Sequence, residues 1–298
     1  MQATCNQPEA GQDRHRRGCK PTKAGTTTQA GQLCMAIRLI MQKSHVKSLV
    51  ITGASSGLGL ALARHYLERG TTVAAFARRG ELLQALATEF PDQVLCYALD
   101  VRDAVAVQNA ANDFIARAGV PDVVIANAGV SVGTLTEHAA DTDAFQQVMD
   151  INVLGMVKTF QPFVVAMRAK KQGTLVGIAS VAGFRGLPGV SAYSASKAAA
   201  ISYLESLRVE LHGSGVKVVT ICPGYIKTPM TAVNPYPMPF ILDADEAARR
   251  MVRAIERQTS FSVIPWQMGL IGRVLKWLPH RLYDGLFANA PRKPRGRI

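Results

Sequence analysis

The chain of 298 residues is 48% apolar and 18% charged, with 25 Gly and 15 Pro, which excludes a disordered chain, a collagen-like fibre and a coiled coil. No run of 18 uncharged apolar residues occurs, so no transmembrane helix is expected. The formal net charge of +13 lies mainly at the ends, +4 over residues 1–40 and +6 over 273–298; a nucleic-acid footprint would instead be a basic stripe on the body, so no nucleic-acid partner is expected.

Residues 1–40 are rich in Gln, Thr, Gly and Arg and show no hydrophobic period. They read as a disordered tail, with Met35 or Met41 as alternative starts of translation. From residue 47 short apolar runs alternate with longer amphipathic stretches. Strands are expected at 48–52, 72–76, 93–98, 122–126, 174–179, 216–221 and 261–264. They are nearly continuous in Val, Ile and Leu, as strands covered on both faces should be. Helices are expected between them, at 58–69, 80–89, 104–118, 142–170, 192–212 and 244–258. This alternation implies an α/β fold, a doubly wound and mostly parallel seven-stranded Rossmann sheet with helices on both faces. The catalytic domain is placed at 41–264, followed by an amphipathic basic tail at 265–298.

The first strand runs straight into Thr52-Gly53-Ala54-Ser55-Ser56-Gly57-Leu58-Gly59 and then a helix. Gly53 permits the tight turn out of the strand, Gly57 lets a pyrophosphate approach the backbone, and Gly59 lets the helix pack closely. The helix N-terminus offers free N–H groups and a positive dipole end to the phosphates. The second strand runs into Arg78-Arg79 with no acid before Glu81. An acid there would select the 2′-hydroxyl of NAD, whereas Arg suits the 2′-phosphate of NADP. NADP is therefore expected over NAD, with Arg78 preferred to Arg79.

Tyr193 and Lys197 stand four residues apart on one helix face. Ser180 precedes Tyr193 by 13 residues at a strand end. Asn152 follows the strand that ends in Asn127-Ala128-Gly129, and Pro223-Gly224 follows the sixth strand, with Thr228 close behind. On these residues, together with Asp100-Val101, the chain from 47 to 264 resembles the short-chain dehydrogenase/reductase family in its one-domain form. One departure is Ala126, where the family often has Asn.

The resemblance implies a catalytic set of Asn152, Ser180, Tyr193 and Lys197. Tyr193 would give its proton to a carbonyl oxygen held by Ser180. Lys197 would lower the phenol pKa and hold the nicotinamide ribose, and Asn152 would anchor a water that leads to solvent. The implied cofactor contacts are Gly53, Ser55, Ser56, Gly57, Leu58 and Gly59 in the turn, Arg78 and Arg79, Asp100 and Val101 at adenine, and Asn127, Ala128 and Gly129 at the adenosine ribose. Tyr193, Lys197, Pro223, Gly224, Ile226 and Thr228 complete that set, with Thr228 at the carboxamide. The expected activity is NADPH-dependent reduction of a ketone or aldehyde on a moderately hydrophobic substrate. The alternatives are an NAD-dependent alcohol dehydrogenase and a non-catalytic cofactor-binding scaffold or sensor.

Substrate selection would fall to the Pro-rich segment 231–242 and to the loop 183–190, which is apolar apart from Arg185. Neither offers paired Arg for a carboxylate. Five cysteines, odd in number and without a C-x-x-C pair, suggest a reducing, cytoplasmic location, with Cys96 and Cys222 as core residues. Six His fall in no metal-like pattern, so no metal is expected. A homodimer or homotetramer is expected. After the last strand Leu270, Val274 and Trp277 recur at helical spacing among Arg273, Lys276 and Arg281. This pattern suits either contact with a membrane surface or packing on the chain's own body or on a partner subunit.

Overall fold

The computed structural model describes residues 46–296; the expectations for residues 1–40 and for an alternative start lie outside them. In chain order the elements are β1 (Ser48–Thr52), α1 (Gly57–Leu67), β2 (Thr72–Ala77), α2 (Gly80–Glu89), β3 (Val94–Ala98), α3 (Ala104–Ala118) and β4 (Val123–Ala126). Next come α4 (Asp141–Met149), a π turn (Asp150–Leu154), α5 (Gly155–Lys170), β5 (Gly173–Ile178), a 3₁₀ turn (Val181–Gly183), α6 (Ser191–Glu210) and β6 (Val216–Pro223). The chain continues through β7 (Ile226–Lys227), α7 (Pro229–Ala232), β8 (Leu242–Asp243), α8 (Ala244–Glu256), β9 (Phe261–Ile264), α9 (Trp266–Trp277) and α10 (His280–Phe287).

Seven strands pair in parallel in the order β3-β2-β1-β4-β5-β6-β9. Strand order reverses between β1 and β4, so a crevice opens beyond their carboxyl ends, where such sheets bind ligands. Each strand feeds both faces by its period of two. On β1, Leu49 and Ile51 pack with Leu62 and Tyr66 of α1 and with Met251 and Ile255 of α8. Val50 points the other way, into a layer with Phe114 of α3, Phe160 and Phe163 of α5 and Leu204 of α6. Burial on both sides is why these strands read as unbroken apolar runs. Cys222 is buried and Cys96 half-buried, both free thiols within strands.

Three features depart from the sequence reading. The helix expected at 142–170 is interrupted by the π turn at Asp150–Leu154. The whole run Asp141–Lys170 is long and apolar enough, by length and composition, to cross a membrane, but Phe160, Phe163 and Met167 are buried in the core. Finally, residues 265–296 do not form a separate tail, because they belong to the same compact unit as the sheet. Arg185 explains part of this docking. Its guanidinium donates to the carbonyls of Leu275 and Leu278, the latter at 2.6 Å, and lies 4.0 Å over the Tyr283 ring. A cation is well placed at the carbonyl end of a helix, and Arg185 is thereby committed to this contact.

Candidate active site

The turn after β1 uses glycine for two different reasons. Gly53 has φ +70°, in the region that side chains avoid. Gly59 has an ordinary φ, but a Cβ there would stand 2.2 Å from the Gly53 carbonyl oxygen. Thr52 then fastens the turn to β4. Its hydroxyl accepts from the N–H groups of Asn127 and Ala128, each at 3.1 Å, and the Asn127 amide donates to the Thr52 carbonyl at 3.0 Å. Asn127 therefore holds the two sides of the crevice together, a structural duty beyond lining it.

The crevice has a volume of about 300 Å³. Gly53, Ser55, Ser56, Gly57, Leu58 and Gly59 form its floor, with Arg78, Arg79, Asp100 and Val101 at one end. Asn127, Ala128, Gly129, Ser180, Tyr193, Lys197, Pro223, Gly224, Ile226 and Thr228 line the remainder. Asn152 is not among the lining residues and lies behind them. Sequence reasoning missed Pro229 and Met230 of α7, which also line the crevice.

A dinucleotide suits this cradle. Ser56, the residue before α1, makes no side-chain cap bond, so the first N–H groups of the helix have no side-chain acceptor. The glycines leave the floor free of side chains. At the β2 end the Arg79 guanidinium donates to Ser55 Oγ at 3.0 Å and Ser56 Oγ at 2.7 Å, while Arg78 is exposed at the crevice edge. Geometry thus ties Arg79 more closely to the turn, where the sequence reading preferred Arg78. The Asp100 carboxylate is engaged by Arg102 at 2.7 Å, which holds its pKa below the usual value.

Ser180 follows β5 and caps the 3₁₀ turn, and Tyr193 and Lys197 share a face of α6, which brings all three to the same wall. Lys197 is buried, and its Nζ donates to the Ile178 carbonyl at 2.8 Å and stands 5.7 Å from the Tyr193 ring centre. Burial pulls its pKa down to about 8. Burial also holds the Tyr193 phenol above its ordinary value, with the Ser180 hydroxyl pulling the other way. Cys222, beneath them, is pushed up to about 12 by burial and is inert as a nucleophile.

Asn152 is fully buried. Its Oδ1 accepts from the Val130 N–H at 2.8 Å, and its Nδ2 donates to the Val130 carbonyl at 3.0 Å and to Ser196 Oγ at 2.9 Å. The amide therefore locks the chain after β4 to α6. A Cβ on Gly129 would lie 3.2 Å from Asn152 Oδ1 and 3.5 Å from Lys197 Nζ, so the two groups face each other across Gly129. The π turn aims this amide, a common use of such bulges.

A second set of residues was not foreseen. Residues 291–296 return as a strap beside the loop after β4. The Gly133 N–H donates to the Pro294 carbonyl at 3.0 Å, and Gly133 bridges to Arg295 while Thr134 bridges to Val190. Arg295 grips Asp141 through two bonds at 2.8 and 2.9 Å, which pulls the carboxyl down to about 2. Lys293 is buried, and its ammonium joins Ser131 Oγ at 3.2 Å to the Met230 carbonyl at 3.1 Å. No periodicity in Arg-Lys-Pro-Arg marks it as anything but a solvated run, so the sequence carries no signal for this role.

Over the crevice, segment 231–242 places Tyr236 edge-on to Tyr225 at 6.4 Å. The Tyr236 phenol is raised chiefly by burial, then by the phenols of Tyr225 and Tyr193, so the segment reaches toward the catalytic wall.

A glycine cradle at the switch point, opening beside a serine, a tyrosine and a lysine, defines a dinucleotide-dependent oxidoreductase. The sequence pattern of the family described as short chain dehydrogenase matches residues 47–236. An uncharacterized oxidoreductase of Myxococcus xanthus is 40% identical over 247 residues, covering 82% of this chain and 97% of that protein. The 2-(R)-hydroxypropyl-CoM dehydrogenase of Xanthobacter autotrophicus is 37% identical over 190 residues, covering 61% of this chain and 75% of that one. Among solved structures, a short chain dehydrogenase from Burkholderia cenocepacia in complex with NADP has a TM-score of 0.70 at 28% identity, over 80% of this chain and 96% of that one. The chain belongs to the short-chain dehydrogenase family.

Proposed function

We propose that this oxidoreductase uses NADPH to reduce the ketone or aldehyde group of a moderately hydrophobic substrate. The observation that carries the reading is the juxtaposition of Ser180, Tyr193 and Lys197 on one wall of a glycine-floored crevice. When bound, the dinucleotide supplies the hydride. Everything else falls to the chain. Ser180 Oγ hydrogen-bonds the carbonyl oxygen and stabilises its developing charge. Tyr193, kept protonated by its raised pKa, gives its proton to that oxygen. Lys197, still charged at neutral pH, stabilises the phenolate left behind. Asn152, fixed across Gly129 from Lys197, holds the route by which the proton is replaced.

Preference for NADP rests on Arg78 and Arg79 at the end of β2, where no acid stands to take a ribose hydroxyl. The apolar substrate rests on the Pro-rich segment over the crevice, with Tyr236 and Met238 half-buried in it. A cytoplasmic location is consistent with the free thiols of Cys96 and Cys222. Self-association as a homodimer or homotetramer is part of the same proposal.

The test is a panel of ketones, aldehydes and alcohols assayed with NADPH and NADH at equal concentration. Carbonyl reduction with NADPH is expected, and Tyr193→Phe should lower it at least about a hundredfold while NADPH still binds. Retention of more than about a tenth of the activity by the Phe variant would remove Tyr193 as proton donor.

A further inference from the structure

Helix α9 packs with its small residues inward. Gly269 lies against Val263 and Gly272 against Phe184, where a Cβ would come within 2.3 Å of the ring. The helix therefore sits close on β9 and the 3₁₀ turn, with Met268 buried beneath it and four other large side chains turned outward. Trp266, Leu270, Val274 and Trp277 are 68%, 57%, 58% and 86% exposed. At about 100° per residue they share an arc of roughly 80°. Leu282 and Leu286, one turn apart on α10, are 62% and 66% exposed. Arg185 fixes this corner, as does the Tyr283 hydroxyl, which donates to the Gly186 carbonyl at 2.6 Å. The exposure therefore belongs to a rigid surface and does not reflect a loose end.

The charges on this surface are predominantly basic. Arg273, Lys276 and Arg281 are exposed and form no ion pair among the described residues. Asp284 is the single acid after residue 265. Beside the helix an open apolar groove runs past Phe184, Phe261 and Trp266, with Arg273 and Lys276 on its lining. A second copy is a poor occupant, because a two-fold contact over this face would set its cations against themselves. A surface that is apolar beneath a layer of negative charge fits both halves of the pattern.

We propose that the outer face of α9 and α10 docks the protein on a bilayer containing anionic lipid. Trp266, Leu270 and Trp277 enter the headgroup–acyl boundary, and Arg273, Lys276 and Arg281 face the lipid phosphates. This proposal is independent of the reaction, and its readouts do not use activity. Both tryptophans of the chain, Trp266 and Trp277, lie on this face, so tryptophan emission reports on it directly.

The full chain is mixed at low salt with phosphatidylcholine vesicles, with and without phosphatidylglycerol, and floated. Flotation and a blue shift of emission are expected with the mixed vesicles alone, both weakened by high salt. Replacing Arg273 and Lys276 together by Gln should weaken partition about thirtyfold. Trp277→Glu, on a side chain 86% exposed, should abolish flotation while leaving the melting temperature unchanged. Recovery of the wild type in the lipid-free fraction would overturn the proposal, as would equal flotation with neutral vesicles or by the Trp277→Glu variant. A fall in oligomeric mass on Trp277→Glu without any flotation of the wild type would assign the face to a second copy instead.

Discussion

Lys197 is the residue whose environment has the clearest consequence for chemistry. Its pKa is lowered to about 8 by burial, so it is charged at neutral pH and loses that charge above. Reduction needs a protonated Tyr193 and a nearby cation, so kcat/KM for carbonyl reduction should be level near pH 7 and fall through about pH 8. A profile flat to pH 10 would detach Lys197 from the rate. At the cofactor's other end, Arg78 and Arg79 are exposed and offer charge without an acid. Arg79→Asp should shift preference from NADPH toward NADH, and more than Arg78→Asp does, because Arg79 is the one bonded to Ser55 and Ser56. Comparing kcat/KM for both cofactors in both variants checks the order. That Ser180, Tyr193 and Lys197 would meet on one crevice wall was legible because a few residue types stand at fixed spacings in an alternating strand and helix frame. The ranking of the two arginines was not, since adjacent side chains at a helix start are separated only by their rotamers.

Among the elements, the strap at 291–296 lies beside the loop after β4, and segment 231–242 begins at Thr231 on the crevice lining. Lys293 ties the strap to α7, just before that segment, by holding the Met230 carbonyl. The Asp141 carboxyl, lowered to about 2, keeps its bond to Arg295 above the ordinary carboxylate range and loses it as pH falls from about 4 toward 2. Asp141→Asn should imitate that acid state at neutral pH. Limited trypsin digestion would show it as faster cleavage after Arg295, with NADPH affinity unchanged and the substrate KM raised. Unaltered digestion would mean that the backbone pairing of Gly133 alone holds the strap. Strands and most helices were legible from their apolar periods, down to the termini of α2, α3 and β9. The strap was not, because its partners Ser131, Gly133 and Asp141 are more than 150 residues away in sequence, and a single chain carries no record of such pairings.

For the whole molecule, the crevice straddles β1 and β4, where the two halves of the sheet meet. A ligand bound there contacts both halves and stabilises them together. Saturating NADP at about a hundred times its Kd should add about 2.7 kcal/mol to stability, a rise of several degrees in Tm for a domain of this size. NAD at the same concentration should raise Tm less, and an equal shift would count against NADP preference. Sheet order was legible only as a class. The sequence implied a doubly wound parallel sheet, whereas the close docking of α9 depends on the inward Gly269 and Gly272, which pack against Val263 and Phe184.

The π turn at Asp150–Leu154 holds one residue more than the helix it interrupts. Losing a single codon there would let α4 and α5 join as one regular helix with their flanking faces still in phase, whereas the same loss within β4 would slip the register of a central strand. Leu154 is 48% exposed, so its removal empties no part of the core. A three-base deletion at this turn should therefore leave the fold intact and disturb chiefly the aim of Asn152. A protein lacking Leu154 should be soluble, should melt cooperatively and should bind NADPH, yet turn over slowly, and it would separate the architecture of this crevice from its proton supply.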